Sequence, residues 1–225
     1  MTRVLVIGHG RMGQLVAAHA AAHGCEIAAI VDVGQRIEDI ATPVDVAIDF
    51  SAAEAVVPNL RALAASRTPV VIGVTGWAAH LAEARAIAEA AGLGVLVSAN
   101  FSIGLHIFRA AVAAASRGFA AQAYGAWVHE AHHIHKKDAP SGTALVLRDA
   151  MVAAGYDRAI DMSSTRAGEI PGTHTVGFDG AADTVTLTHT VRDRAVFAHG
   201  ALEAAKWLVG RRGWFGMDDF IGSGT

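Results

Sequence analysis

The sequence predicts an α/β protein: a Rossmann-type dinucleotide-binding domain together with a central α+β domain built mainly on a β-sheet. From Met1 to about Ser98, short β-branched runs alternate with Ala-rich segments, a pattern typical of a parallel sheet with crossover helices. A glycine-rich turn follows the first of these runs. From Ala123 to Val196 the pattern changes, and strand-like segments dominate.

Length and composition limit the classes of protein to which this chain can belong. Its 225 residues can form one large domain or two modest ones. The chain is 52% hydrophobic but has no long uninterrupted apolar span, and its N-terminus does not resemble a signal peptide, so we expect no membrane segment. A net charge of -3 gives no general reason to bind nucleic acid. The single cysteine, Cys25, is expected to be a small buried side chain, which is consistent with a cytoplasmic protein.

The first half of the chain predicts five strands and three helices. The predicted strands are Arg3 to Ile7, Glu26 to Val31, Val44 to Asp49, Val70 to Gly73 and Gly94 to Val97. The predicted helices are Met12 to His23, Ala52 to Ala65 and Ala78 to Ala91. Ser51 and Glu54 have the spacing of a capping box, so we expect Ser51 to cap the second helix.

The second half predicts a long helix from Ile103 to Arg117 and then mainly strands. Two of these strands are Ala123 to Ala131 and Thr184 to Val191, and one helix is expected after Ser141. A last helix, from Ala198 to Val209, precedes a tail rich in glycine and aromatic residues.

The stretch "VLVIGHGRMG" predicts a dinucleotide site. Gly8, Gly10 and Gly13 have G-x-G-x-x-G spacing directly after a strand, where a helix N-terminus can bind a pyrophosphate. Asp32 ends the second strand, where a carboxylate can accept hydrogen bonds from the adenosine ribose. Its charge opposes a 2'-phosphate, which favours NADH, whereas Arg11 leaves NADPH open.

Two later segments, "GVTG" (residues 73–76) and "SANFS" (residues 98–102), follow strand ends on the side where open α/β sheets bind ligands. Each by itself is also typical of an ordinary loop.

The stretch "HEAHHIHKKDAPSGTA", residues 129–144, contains four of the twelve histidines. A metal site would draw on His129, His133, Glu130 and Asp138, and it is the less favoured interpretation because zinc ligands are usually more spread in sequence. A solvated strand end is a second alternative. A third alternative is an anion site with a proton donor. It is favoured because cationic side chains precede a turn at which a helix begins.

This stretch resembles the signature of the dihydrodipicolinate reductase family. "GRMG", "IDFS" (residues 48–51), "NFSIG" (residues 100–104), "PGTHTVGF" and "FAHGA" extend the resemblance over nearly the whole chain. The glycine loop is one residue shorter than the family's G-x-x-G-R-M-G, and GVTG stands in place of GTTG.

The resemblance implies NAD(P)H-dependent reduction of 4-hydroxy-tetrahydrodipicolinate in lysine and diaminopimelate biosynthesis. It implies that the dinucleotide-binding domain comprises residues 1–103 and 195–225, and that residues 104–194 bind the substrate, a cyclic dicarboxylate, and build a homotetramer. The implied catalytic residues are His132 and Lys136, and the implied substrate-binding residues are His133, Ser141, Gly142 and Thr143. The implied cofactor-binding residues are Gly8, His9, Gly10, Arg11, Met12, Gly13, Asp32, Gly73, Val74, Thr75, Ser98, Ala99, Asn100 and Phe101, and no metal is assigned.

Two other functions remain open on the residues alone. One is a dehydrogenase that acts on a different dicarboxylate, and the other is a dinucleotide-sensing regulator without turnover. His132 and Lys136 beside the Ser-Gly-Thr turn argue against the sensor, because a sensor needs no proton donor.

Overall fold

The structure is a computed structural model that describes residues 1–222. It divides into two compact units, one formed by Met1–Ile103 with the segment from Ala195 onward and the other by Gly104–Arg194. In the described part of the chain, no helix is both long enough and apolar enough to span a membrane.

We number strands and helices along the chain. The strands are β1 Thr2–Ile7, β2 Cys25–Val31, β3 Val46–Asp49, β4 Val70–Ile72, β5 Gly94–Val97, β6 Gly125–His132, β7 Ile160–Arg166, β8 Thr173–Asp179, β9 Thr184–Thr190 and β10 Gly213–Phe215. The α-helices are α1 Arg11–His19, α2 Val56–Ser66, α3 Leu81–Ala91, α4 Ile103–Phe119, α5 Gly142–Ala153, α6 Ala195–Leu208 and α7 Met217–Gly222.

The first unit is a six-stranded sheet in the order β10-β5-β4-β3-β1-β2, and every neighbouring pair is parallel. Both faces are buried: Val4 and Val6 of β1 pack into one apolar cluster, whereas Leu5 and Ile7 pack into another. Each fully buried side chain of this kind contributes about 1.5–3 kcal/mol to folding. The predicted parallel sheet with crossover helices is therefore confirmed.

The helix predicted from Ala52 begins differently. Residues Ala53–Ala55 form a short 3₁₀ turn, α2 begins at Val56, and neither segment has a side-chain cap. The capping role predicted for Ser51 is wrong, because its hydroxyl oxygen instead accepts a hydrogen bond from Asn59 Nδ2 at 3.2 Å. The Ser51 hydroxyl is therefore bonded to Asn59, eight residues along the chain, and not to the backbone at the start of the helix.

Several element ends also differ from the predictions. α1 ends at His19 and is followed by a separate 3₁₀ turn, Ala21–His23, and α6 begins at Ala195, three residues before the predicted start. Strand β10 was not predicted; it pairs with β5 at the edge of the sheet. Cys25 is buried, as expected.

The second unit contains a four-stranded sheet in the order β7-β6-β8-β9. Its β6–β7 pair is parallel, whereas β6–β8 and β8–β9 are antiparallel. Phe108 and Val112 of α4 pack with Leu147 and Met151 of α5 and with Val128 of β6 in one apolar cluster. Along β6 the burial alternates, so Val128, Glu130 and His132 are all buried side chains on the same face. The C-terminal end of β6 therefore places two polar side chains, Glu130 and His132, on the face that packs against the apolar core.

Candidate functional site

The first candidate site is the turn between β1 and α1. Gly8 has a φ of +85°, and a Cβ there would lie 2.7 Å from Ser51 Cα. A Cβ on Gly13 would lie 2.0 Å from the Gly8 carbonyl oxygen, so both positions need glycine for packing. Gly10 is different: no atom lies within 4 Å of its would-be Cβ. The turn therefore leaves open space at Gly10, directly before the N-terminus of α1.

Two grooves meet at this turn. A groove of about 470 Å³ includes Gly8, Gly10 and Asp32 in its lining, and one of about 360 Å³ is lined by Gly10, Arg11, Met12, Gly73, Val74 and Thr75, among others. Gly10 and the segment Phe50–Ala52 line both. Asp32 is exposed, and its backbone N–H donates to Gln35 Oε1 at 2.8 Å. Its carboxylate is therefore accessible to a ribose.

The remaining predicted cofactor residues lie outside both grooves. His9 contributes its carbonyl oxygen, which accepts from Gln14 Nε2, to the loop itself. In the turn after β5, the Ser98 hydroxyl donates to the Asn100 carbonyl oxygen at 2.6 Å, and Ala99 is exposed between them. Phe101 is buried in the core of the first unit, and its carbonyl oxygen packs against Gly200 of α6.

The segment after β3 also shapes the grooves, although none of its residues was predicted to bind the cofactor. Gly73 makes room for the Phe50 ring, since a Cβ at Gly73 would lie 2.0 Å from Phe50 Cε1. Asp49 is buried, and its carboxylate accepts from the Ser51 N–H at 2.8 Å and from Asn59 Nδ2 at 3.0 Å. Burial raises the pKa of Asp49. The "IDFS" motif was the signal for this segment, which shapes both grooves.

The second candidate site lies at the end of β6, in the second unit. Glu130 is fully buried, and its carboxylate accepts from Arg166 through Nη2 at 2.7 Å and Nη1 at 2.9 Å. The same carboxylate is hydrogen-bonded to His132 Nδ1, and it accepts the Ser141 backbone N–H at 3.3 Å. The pairing of β6 with β7 brings these side chains together, because His132 lies opposite Arg166 on β7.

Strand β8 adds His174, a residue for which the sequence predicts no role. His174 pairs with Glu130 across β6 and β8, and its ring lies 5.1 Å from the His132 ring. Its Nε2 is hydrogen-bonded to the Ser141 hydroxyl at 3.1 Å. His174 Nδ1 is buried without a hydrogen-bond partner in residues 1–222. The motif "PGTHTVGF" contained this residue, but only the strand register shows that it reaches the site.

Electrostatics at this site follow from burial and pairing. The Arg166 guanidinium and the other donors overcome the opposing effect of burial and lower the pKa of Glu130 to about 2. Burial lowers the pKa of His132, although the neighbouring Glu130 carboxylate works in the opposite direction. Burial, followed by the proximity of His132, lowers the pKa of His174 to about 4. At neutral pH the site therefore holds one carboxylate and two neutral imidazoles.

The loop after β6 carries the predicted lysine. Lys136 is half-buried, and its Nζ forms an ion pair with Asp138 Oδ1 at 2.7 Å, which lowers the pKa of Asp138. Arg166 Nε donates to the Lys136 carbonyl oxygen at 3.2 Å, so the residue that holds Glu130 also holds this loop. His133 is half-buried, and its Nδ1 has no partner in the described residues.

The loop ends at the start of α5. The Ser141 hydroxyl caps the helix by accepting from the Ala144 N–H at 3.2 Å. Gly142 is exposed, with no atom within 4 Å of a would-be Cβ, and Thr143 follows it in the first turn. This helix start is suited to an anion, and the Asp138 carboxylate already accepts from the Gly142 N–H there.

A metal at this site is disfavoured. Among residues 1–222, Glu130, His132 and His174 have ligand atoms within 4.8 Å of one another. Both oxygens of Glu130 already accept from the Arg166 guanidinium, whose positive charge opposes a cation there. His129 does not join the group, since its Nδ1 is hydrogen-bonded to Ser163 at 2.9 Å.

Comparisons with known proteins agree on one family. The profile described as "Dihydrodipicolinate reductase, N-terminus" matches residues 2–101, and the one described as "Dihydrodipicolinate reductase, C-terminus" matches residues 104–221. A 4-hydroxy-tetrahydrodipicolinate reductase of Methanoregula boonei is 34% identical, over 99% of this chain and 98% of its own. The protein of the same name from Acidiphilium cryptum is 36% identical, over 95% and 94%.

Solved structures show the same fold. A dipicolinate-bound dihydrodipicolinate reductase from Paenisporosarcina sp. TG-14 has a TM-score of 0.83 at 21% identity and covers 97% of this chain and 99% of its own. GenD2 from gentamicin A biosynthesis, in complex with NAD, has a TM-score of 0.61 at 16% identity, over 92% and 85%.

Proposed function

The chain belongs to the dihydrodipicolinate reductase family, and we propose that it reduces 4-hydroxy-tetrahydrodipicolinate to tetrahydrodipicolinate with NADH or NADPH. It is an NAD(P)H-dependent oxidoreductase of lysine and diaminopimelate biosynthesis. The observation that carries the proposal is the position of His132 at the end of β6, beside Lys136 and the start of α5. That arrangement supplies a proton-transferring group and an anion-binding turn together.

The first unit is suited to hold the dinucleotide. We assign the pyrophosphate to the open space at Gly10, the adenosine ribose to Asp32, and the other half of the cofactor to the groove at Gly73, Val74 and Thr75. When bound, the reduced nicotinamide supplies the hydride. The Asp32 carboxylate repels a 2'-phosphate, so we propose that NADH is preferred, with NADPH accepted more weakly.

The second unit is suited to a cyclic dicarboxylate. Lys136 attracts one carboxylate when it exchanges its partner Asp138 for the substrate, and the N–H groups at Gly142 and Thr143 bind a carboxylate at the start of α5. We assign His133 to substrate contact and Ser141 to the support of that helix start. His132 moves the proton that must accompany the hydride, while water leaves the substrate.

Assembly and location are part of the same proposal. We propose a homotetramer built by the second unit, in the cytoplasm, with no nucleic acid or membrane as a partner. The buried, unpaired Cys25 is compatible with a reducing compartment.

A coupled assay tests this function. The substrate is made fresh from pyruvate and aspartate semialdehyde by the synthase that precedes this enzyme, and NADH or NADPH absorbance is followed after this protein is added. We expect oxidation that depends on the synthase product, faster with NADH. If neither nucleotide is oxidised, the proposed reaction is wrong. If another dicarboxylate is reduced faster, the substrate assignment is wrong.

A further inference from the structure

We propose that Glu130, held by Arg166, is a positioning residue that fixes His132 with its proton on Nδ1 and makes Nε2 the atom through which His132 transfers protons. The inference rests on the proposed function for its kinetic consequences, but its structural content concerns the free protein. The sequence indicates Glu130 only as a candidate metal ligand and predicts no role for Arg166.

The donors around the Glu130 carboxylate determine the protonation of His132 Nδ1. Oε1 accepts from Arg166 Nη2 at 2.7 Å and from the Ser141 N–H at 3.3 Å, and Oε2 accepts from Arg166 Nη1 at 2.9 Å. His132 Nδ1 is also hydrogen-bonded to Oε2, and the Ser164 hydroxyl is a further donor to the carboxylate. A carboxylate whose pKa lies at about 2 is ionised at neutral pH and can only accept hydrogen bonds. His132 Nδ1 must therefore carry a proton and donate it.

The other ring nitrogen, Nε2, is the one left to exchange protons. With Nδ1 protonated, Nε2 of the neutral ring has a free lone pair. Gly172 leaves room beside it, since a Cβ at that position would lie 3.1 Å from Nε2 and 3.2 Å from Cδ2. A proton that His132 takes up therefore goes to Nε2, and the resulting imidazolium lies against the Glu130 carboxylate, which stabilises it.

A carboxylate is needed at this position, and a neutral amide does not replace it. In Glu130→Gln the side chain has one oxygen and one NH₂ group. The oxygen takes the Oε1 position, where two groups, Arg166 Nη2 and the Ser141 N–H, can only donate, whereas at Oε2 only Arg166 Nη1 loses its acceptor. The NH₂ group then lies at the Oε2 position, where His132 Nδ1 can become an acceptor only by losing its proton. The substitution therefore forces His132 into the tautomer with its proton on Nε2.

The kinetic consequence follows from this change. A neutral imidazole N–H is a very weak acid, so proton donation requires the imidazolium. Four charged or titratable groups face His132: Glu130, Arg166, Lys136 and His174. Of these, only Glu130 raises the pKa of His132. Without the charge of Glu130, the pKa of His132 falls. Because activity requires the His132 imidazolium, we expect Glu130→Gln to lose activity at a lower pH than the wild type does.

The test measures both the tautomer of His132 and the kcat of the enzyme. Magic-angle-spinning NMR of the free protein labelled with ¹³C,¹⁵N-histidine, at a pH where His132 is neutral, reports the tautomer; the signal is assigned by its loss in His132→Gln. We expect a proton on Nδ1 in the wild type and on Nε2 in Glu130→Gln. We also expect kcat for Glu130→Gln to fall on the order of 100-fold or more, with KM changed much less.

Two further variants complete the design. Glu130→Asp keeps the charge, so it should keep the Nδ1 tautomer and recover part of kcat. Exposed Glu169 provides the matched control, because Glu169→Gln makes the same chemical change and should leave tautomer and kcat unchanged.

The outcomes separate this inference from the proposed function. A wild-type His132 with its proton on Nε2 overturns the inference even if the enzyme is active, and this measurement needs no folded variant. Unchanged kcat and tautomer in Glu130→Gln would also overturn it. A wild type that shows the Nδ1 tautomer but oxidises neither nucleotide refutes the proposed function alone.

Discussion

Adding one methyl group at each of two glycines in the β1–α1 turn should separate packing from nucleotide binding. In Gly13→Ala the new Cβ would lie 2.0 Å from the Gly8 carbonyl oxygen, whereas carbon and oxygen normally approach to about 3.3 Å. The backbone must then shift by about 1.3 Å. Overpacking of this kind costs about 3 kcal/mol at its upper range, against about 1 kcal/mol gained from helix propensity. A net loss of about 2 kcal/mol lowers Tm by roughly 4–8 °C in a chain of this length.

Gly10→Ala should behave in the opposite way. Gly10 has φ -70° and ψ -165°, which alanine adopts without strain, and its would-be Cβ meets nothing within 4 Å. Its Tm should therefore stay close to wild type. The methyl group would occupy the space assigned to the pyrophosphate, so NADH affinity should fall about 10-fold or more, which corresponds to at least ~1.4 kcal/mol.

The assays are differential scanning fluorimetry for Tm and NADH fluorescence titration for Kd. Gly118→Ala is the matched control: this exposed glycine in α4 also has open space at its Cβ, so the variant should melt slightly higher and bind NADH normally. If Gly10→Ala binds NADH like the wild type, the pyrophosphate does not lie at Gly10. If Gly13→Ala melts like the wild type, the packing argument is wrong.

Three further predictions concern the remaining site residues. Asp32→Ala should raise the KM for NADH and lower it for NADPH, and an unchanged ratio of the two kcat/KM values would show that Asp32 only shapes the turn. His132→Gln should lower kcat roughly 100- to 10,000-fold with a smaller effect on KM, whereas Lys136→Met should impair both, as measured by steady-state kinetics at saturating NADH. Gly142→Val should raise mainly the substrate KM, and a loss confined to kcat would contradict its assignment to substrate binding.

The fold could be predicted because its signals are local and repeated. Runs such as Val4–Ile7 are buried on both faces of a parallel sheet, so they read as continuous apolar stretches at any position in the chain. Ser51 shows where local reasoning fails: the spacing to Glu54 fits a capping box, but Asn59 and the buried Asp49 compete for the same loop. A capping signal cannot reveal a partner contributed by the following helix.

The site was predictable only in part for a related reason. His132, Lys136 and Ser141 lie within ten residues, so one motif reveals them together. Arg166 and His174 reach them through the pairing of β6 with β7 and β8, and that register depends on how the whole sheet assembles. Residues that support a reacting group from neighbouring strands leave no spacing signal of their own.

The buried His174 also gives the second unit a specific sensitivity to acid. Its pKa is lowered from 6.5 to about 4 in the folded protein, mainly by burial. The unfolded chain therefore binds a proton at His174 more readily, and the stability that depends on neutral His174 is fully present above pH 6.5 and lost as pH falls toward 4. The total loss is about 3 kcal/mol, of which about 2 kcal/mol falls between pH 6.5 and 5.

Replacement of His174 by glutamine should remove this loss, because glutamine does not titrate and can still reach the Ser141 hydroxyl. Hydrogen–deuterium exchange of the β6 peptide, corrected for the intrinsic rate at each pH, measures the opening free energy in the ligand-free protein. Between pH 7 and 5 the wild type should lose about 2 kcal/mol more than His174→Gln. Exposed His135 is the matched control, and His135→Gln should keep the wild-type slope. Equal slopes in the wild type and His174→Gln would mean that His174 is not held neutral by burial, and that the site is more open to water than its packing against Glu130 and His132 implies.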